Sequence, residues 1–183
     1  NTAHELGHKK EKLERWYARI ALAQTAYGHF YIEHNRGHHV RVATPPDPAS
    51  SRLGESIYEF LPRTVFGSLR SAWELEKRRL ARKGQSPWSF HSDLMNAWIF
   101  TPILWGLAIG MNAVLGLQTW QILPYLVVQA LIGISLLEAV NYPEHYGMKR
   151  TMLDSGRYER VNPSHSWNSN NIGTNILLYH LQR

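Results

Sequence analysis

The residues best suited to chemistry in this sequence are its histidines. Ten occur in 183 residues, and there are no cysteines. Without thiols the chain holds no disulfide, thiolate zinc finger, iron–sulfur cluster or cysteine nucleophile. The first histidine group reads Asn1-Thr2-Ala3-His4-Glu5-Leu6-Gly7-His8. On a helix, residues four apart lie about 40° apart in angle and one turn apart in height, so His4 and His8 can bind one metal ion. The same run is an H-E-x-x-H motif, in which Glu5 would serve as the general base of a zinc protease.

The second group, Glu33-His34-Asn35-Arg36-Gly37-His38-His39, repeats the four-residue spacing and adds a third imidazole. Adjacent histidines on one helix do not readily face one ion, so this group suits two ions side by side. A catalytic zinc takes three protein ligands and keeps one position open. Five histidines already exceed that. The third group is Asn141-Tyr142-Pro143-Glu144-His145-Tyr146-Gly147. His4, His8, His34, His38, His39 and His145 are thus six candidate ligands for a dinuclear site. Imidazole suits zinc, copper, iron and nickel alike. Glu5, Glu33 and Glu144 each adjoin a candidate ligand and could accept a hydrogen bond from a ring N–H.

The elements that must position these groups are membrane elements. From Leu94 to Leu137, 44 consecutive residues include no Asp, Glu, Lys, Arg or His. About 20 apolar residues cross a bilayer core, so the window divides into spans at 97–117 and 120–140 around a Gln118-Thr119 turn. Trp98 and Trp120 fall near the interfaces. Both ends of such a hairpin emerge on one side, which returns His145 to the face bearing the other groups. The bland alternative is a pair of buried helices in a soluble bundle. Lys77-Arg78-Arg79, Arg82 and Lys83 lie just upstream and mark that side as cytoplasmic. The position of this run, more than the net charge of +6, points to a membrane surface and not to nucleic acid.

Residues 1 to about 30 read as a helix with Leu13, Trp16, Tyr17 and Ile20 on one face, lying along the membrane. Thr44-Pro45-Pro46-Asp47-Pro48 cannot be a helix interior. Ser56 to Lys83 is helical with an interruption near Pro62, and residues 172–183 read as helix again. The expected fold is all-α: an integral membrane helical protein fragment with a transmembrane hairpin and a cytoplasmic histidine-rich helical face in segments 1–52 and 141–183. The start at Asn1 and the end at Arg183, inside a helical run, predict an internal piece of a longer protein, one partial domain over 1–183.

The ordered set of motifs resembles the membrane alkane 1-monooxygenases of the histidine-box superfamily of membrane desaturases and hydroxylases. The likeness runs through the three histidine groups, through Ala43-Thr44-Pro45-Pro46-Asp47-Pro48-Ala49-Ser50-Ser51 and Tyr58-Glu59-Phe60-Leu61-Pro62-Arg63-Thr64-Val65-Phe66-Gly67-Ser68, and through His165-Ser166-Trp167-Asn168. The resemblance implies a non-haem centre of two iron ions, held by the six histidines above and by three more in a further box beyond Arg183. No side chain besides the metal ligands is expected to be catalytic. It also implies hydroxylation of the terminal methyl of medium-chain alkanes with dioxygen, rubredoxin and rubredoxin reductase as partners. The enzyme would sit among membrane lipid in the bacterial inner membrane. His165 is a candidate for supporting a ligand, and the basic segment from Arg70 to Lys83 could attract an acidic electron carrier. Two positions depart from the family pattern, Pro46 where an acidic residue is usual and Pro143 where an aliphatic one is. His29 and His91 match no metal motif, and His180 stands where a glutamine is expected. The rival readings are a membrane zinc protease and a fatty-acyl desaturase or hydroxylase.

Overall fold

The structure is a computed structural model that describes Leu6 and residues 11–117, 119–167, 171 and 172. Helix α1 spans Lys12–Ala23, α2 spans Phe30–Glu33, a π-helical turn follows at His34–His38, and α3 spans His39–Arg41. Two long helices, α4 at Ile57–Ala81 and α5 at Asp93–Val114, precede a 3-10 turn at Thr119–Gln121 and helix α6 at Ile122–Glu144. A 3-10 turn at Pro163–His165 closes the order. Among the described residues β pairing is confined to an isolated bridge between Met152 and Tyr158.

Helix α1 stops earlier than its periodicity predicts. Ala26 adopts a positive φ of 53°, and the chain doubles back so that Tyr27, Phe30, Tyr31 and Ile32 enter the core beside Ala18, Leu22, Ala72 and Leu94. The apolar stripe of α1 stays outside this core: Leu13, Trp16, Tyr17 and Ile20 are exposed. An outward apolar face on a basic helix fits contact with a membrane surface.

Helix α4 starts at Ser56, whose side chain accepts from the Glu59 N–H while the Glu59 carboxylate accepts from the Ser56 N–H. This reciprocal cap fixes the helix start. The expected interruption near Pro62 does not occur. Pro62 stands in the second turn, where it forfeits one backbone bond, and the helix continues for five more turns. Its buried row is Phe60, Thr64, Ser68, Ala72, Glu76 and Leu80, a strict four-residue ridge against the rest of the fold.

The hairpin is α5 and α6, shifted by a few residues from the expected spans. Both are long and apolar enough to cross a membrane, counted as Asp93–Val114 and Thr119–Glu144. Ile103, Leu107, Met111 and Val114 on α5, and Leu131, Ile132 and Leu136 on α6, are 48–88% exposed. A soluble bundle would bury these side chains, so their outward direction decides for lipid-facing helices. Helix α5 can begin at a charged residue because Asp93 pairs with Arg19 at 3.2 Å and with Arg36. Helix α6 runs through Pro143 to Glu144 without opening. Gly133 lets α6 approach the end of α1: a Cβ there would lie 2.5 Å from Thr25 Cγ2.

Candidate metal centre

The π turn determines how the second histidine group is presented. In an α-helix, residues five apart point about 140° away from each other. The extra residue in the turn at His34–His38 swings His39 back, and its Nε2 comes within 3.0 Å of His34 Nε2. Single π turns inside α-helices are frequent at functional sites. The backbone register thus turns His39 toward His34.

Four of the six candidate ligands come together. The rings of His34 and His38 stack 5.3 Å apart, His39 stands edge-on to His34 at 4.5 Å, and His145 lies 4.9 Å from His38. Phe30 stacks on the other face of His34 at 4.8 Å. The hairpin thus delivers His145, at the exit of α6, against the π turn. His34, His38 and His145 are buried, whereas His39 is exposed. His4, Glu5 and His8 lie outside the described residues. Among the described residues, no group of three or more His, Asp or Glu side chains closes around a single point.

Two of the rings are held from behind. His38 Nδ1 lies 2.8 Å from Asp47 Oδ2, and His145 Nδ1 lies 2.9 Å from the His165 carbonyl oxygen. Both oxygens accept, so each Nδ1 carries a proton, and in the neutral ring Nε2 keeps its lone pair. Asp47 is itself buried and accepts from Ser50 Oγ at 2.6 Å and from the Ala49 N–H at 3.3 Å. Burial alone would raise the Asp47 pKa, but its charge contact and bond with His38 and its bonds from Ser50 and Ala49 hold it below the ordinary value. Burial pulls the His38 imidazole down, and the Asp47 charge and hydrogen bond more than reverse this. Burial holds His145 at about 4, so that imidazole is neutral at physiological pH, which is the ligand form.

Two of the three expected supporting carboxylates, Glu33 and Glu144, are placed otherwise. Glu33 folds over Gly37 and bonds Arg41 Nη2 at 2.6 Å, and burial pushes its carboxyl up to about 7. Glu144 stands 3.8 Å from His145 Nε2, too far for a hydrogen bond. His165 acts through its carbonyl, while its ring accepts from the Asn162 N–H and faces Glu159. The carboxylate that does anchor a ring is Asp47, which the sequence reading left out. One signal was available: Asp47 is the only acidic residue between Glu33 and Glu55. His29 is buried against Tyr27 and held at about 4 by burial. His91 is exposed.

This donor set fits a metal centre. Imidazoles oriented by a carboxylate or a carbonyl on the far nitrogen are the usual arrangement of metal-bound histidine. Two nitrogens about 2.0–2.1 Å from one ion, in neighbouring positions, stand about 3 Å apart. The His34–His39 separation of 3.0 Å matches that spacing as well as it matches an N–H···N bond.

Comparison with known proteins gives the chain a family. The fatty acid desaturase family profile matches residues 1–183. The chain is 54% identical to the alkane 1-monooxygenase of Acinetobacter baylyi and 51% identical to that of Ectopseudomonas oleovorans, in both cases over all 183 residues. It is 30% identical over 167 residues to the xylene/toluene monooxygenase hydroxylase component XylM of Pseudomonas putida. The chain spans 43%, 44% and 42% of the lengths of these three relatives. With a profile that covers every residue, the chain belongs to the fatty acid desaturase family.

Proposed function

We propose that this chain is part of a membrane non-haem di-iron monooxygenase that hydroxylates the terminal methyl of medium-chain n-alkanes. The observation that carries the reading is the meeting of His34, His38, His39 and His145 at the base of a lipid-facing hairpin, with His38 and His145 anchored through Nδ1. The alkane 1-monooxygenase relatives supply the substrate class. His4, His8, His34, His38, His39 and His145 would hold the two irons, whose chemistry is the activation of dioxygen for attack on an unactivated C–H bond. The chain's own contribution is positional. Asp47 and the His165 carbonyl orient two rings, burial keeps His145 neutral, and the outward apolar faces of α5 and α6 adjoin the lipid phase in which an alkane dissolves. Electrons would come from rubredoxin and its reductase, and the histidine face would lie on the cytoplasmic side of the inner membrane.

The test is metal content and product in the protein purified from its membrane. Two irons per protein, and 1-octanol formed from octane with rubredoxin, its reductase and NADH, are expected. One zinc, with peptide hydrolysis that disappears in Glu5→Gln, would replace the reading by the protease. Double bonds introduced into fatty acyl chains, with octane untouched, would replace it by the desaturase.

A further inference from the structure

Away from the histidines, a cleft of about 370 Å³ opens where α4 meets the start of α5. Its lining is Phe66, Leu69, Arg70, Trp73, Trp88 and Trp98. The four α4 positions follow helical i, i+3, i+4, i+7 spacing, so they form one stripe. Trp73 and Trp98 pack their backs on the hydrophobic core and make a fixed floor. Trp88, 70% exposed, stands as a wall 4.8 Å from Trp73, and Phe66, also 70% exposed, closes the other side. The volume lies within the range of small-molecule sites, about 300–1,000 Å³.

The cleft lies at the end of α5 where a membrane-crossing helix would enter the bilayer. Trp98 is five residues into the first membrane-capable helix, about 7–8 Å along its axis from Asp93. Tryptophans concentrate at that level because the indole is apolar with one polar edge. Arg70 is the only charged residue of the lining. The structure gives its guanidinium no ion pair or hydrogen bond among the described residues, and the nearby Glu74 faces Lys77 at 3.9 Å. Lys77, Arg78, Arg82 and Lys83 continue the positive charge along the same helix end. An apolar floor and exposed apolar walls beside one unpaired cation, with further cations along the same helix, match a molecule with an anionic head and an apolar tail. A zwitterionic head would bring its own cation into this positive field.

We propose that this cleft binds one anionic phospholipid of the surrounding bilayer, its phosphate on Arg70 and its glycerol and first acyl carbons against Trp73, Trp88 and Trp98. The site is separate from the histidine centre and does not depend on the metal.

Bromine quenches indole fluorescence on contact, so the test uses the protein in phosphatidylcholine nanodiscs containing an equal minor fraction of brominated phosphatidylglycerol or brominated phosphatidylcholine. One basic residue near an anionic surface enriches anionic lipid about fivefold, and quenching by the brominated phosphatidylglycerol should exceed the control accordingly. Arg70→Gln should bring the two to parity, Arg70→Lys should retain the excess, and Trp88→Phe should remove most of it. Arg82→Gln, equally basic but outside the lining, should leave it intact. Unchanged helical ellipticity shows that each variant is folded. Equal quenching by both lipids in the unmodified protein overturns the proposal. So does an excess that survives Arg70→Gln, or one that Arg82→Gln reduces as far as Arg70→Gln does, since that is diffuse attraction without a site.

Discussion

Asp47 offers the sharpest test of the metal-centre geometry. Its carboxylate accepts from His38 Nδ1, Ser50 Oγ and the Ala49 N–H in a site only 2% exposed. Asp47→Asn keeps the shape and one acceptor oxygen, enough for His38 and Ser50, but removes the charge that stabilises the ring. Loss of such a partner weakens metal binding or activity by about 10–100-fold, or about 1.4–2.8 kcal/mol at 1.4 kcal/mol per decade. Asp47→Ala goes further, leaving His38 Nδ1–H, Ser50 O–H and Ala49 N–H without their acceptor. At about 1–3 kcal/mol for each buried group so stranded, a loss of about 3 kcal/mol or more in stability is expected even without metal. The assay is titration of metal-depleted protein with iron(II) against a chromogenic chelator, alongside thermal melting followed by circular dichroism. Asp47→Asn protein that binds iron as tightly as the unmodified protein would refute the role assigned to this carboxylate. So would an Asp47→Ala variant that melts unchanged.

Two further outcomes follow from close contacts and from charge. Gly37→Ala would place a Cβ 2.4–2.5 Å from the Glu33 carboxyl atoms, forcing Glu33 off Arg41. A loss of about 1–3 kcal/mol is expected, and addition of Glu33→Ala should cost less than the sum of the single changes, as a double-mutant cycle of melting free energies would show. The Glu76 carboxyl is raised by burial but lowered further by Arg79 and the Asp93 N–H, with a net fall below its ordinary 4.5. Its folded pKa is depressed, so its contribution to stability is complete above about 4.5 and lost as pH falls through the lower folded value. Melting temperature should therefore decline on acidification in that window, and Glu76→Gln should flatten the decline; an equally steep profile in Glu76→Gln would contradict the assignment.

The parts of the fold that residue type encodes could be read in advance. The uncharged window marked both hairpin helices to within a few residues, because lipid exposure selects composition directly. His34, His38 and His145 could be grouped because hairpin topology, which needs only two spans, returns the chain to one face. The π turn could not be read, since one inserted backbone residue leaves the sequence spacing unchanged while rotating His39 toward His34. Asp47 was missed because its partner is set by the fold of a proline-rich turn and not by adjacency. Glu33 and Glu144 adjoin ligand candidates in sequence, yet their side chains leave in other directions. The cluster of Arg19, Arg36 and Arg79 on Glu76 and Asp93 was likewise invisible, because its members come from four separate segments. Pro62 was read as an interruption, although a helix that loses a single backbone bond in its second turn runs on.

The buried carboxylate of α6 has a consequence for how the chain is made. Glu138 accepts from Tyr27 Oη at 2.8 Å, from Thr64 Oγ1 at 2.9 Å and from Asn141 Nδ2 at 3.2 Å. An ionisable residue in a nascent membrane helix resists transfer from translocon to lipid, by about 2.5–3.5 kcal/mol for a charged residue at the helix centre. Tyr27 and Thr64 precede Glu138 by 111 and 74 residues, so both have left the ribosome before α6 does. The hydroxyls that shelter the carboxylate are thus synthesised first, and α6 can enter the bilayer against a prepared surface. A rearranged gene that delivered α6 ahead of residues 27–64 would present the membrane with an unsheltered acid.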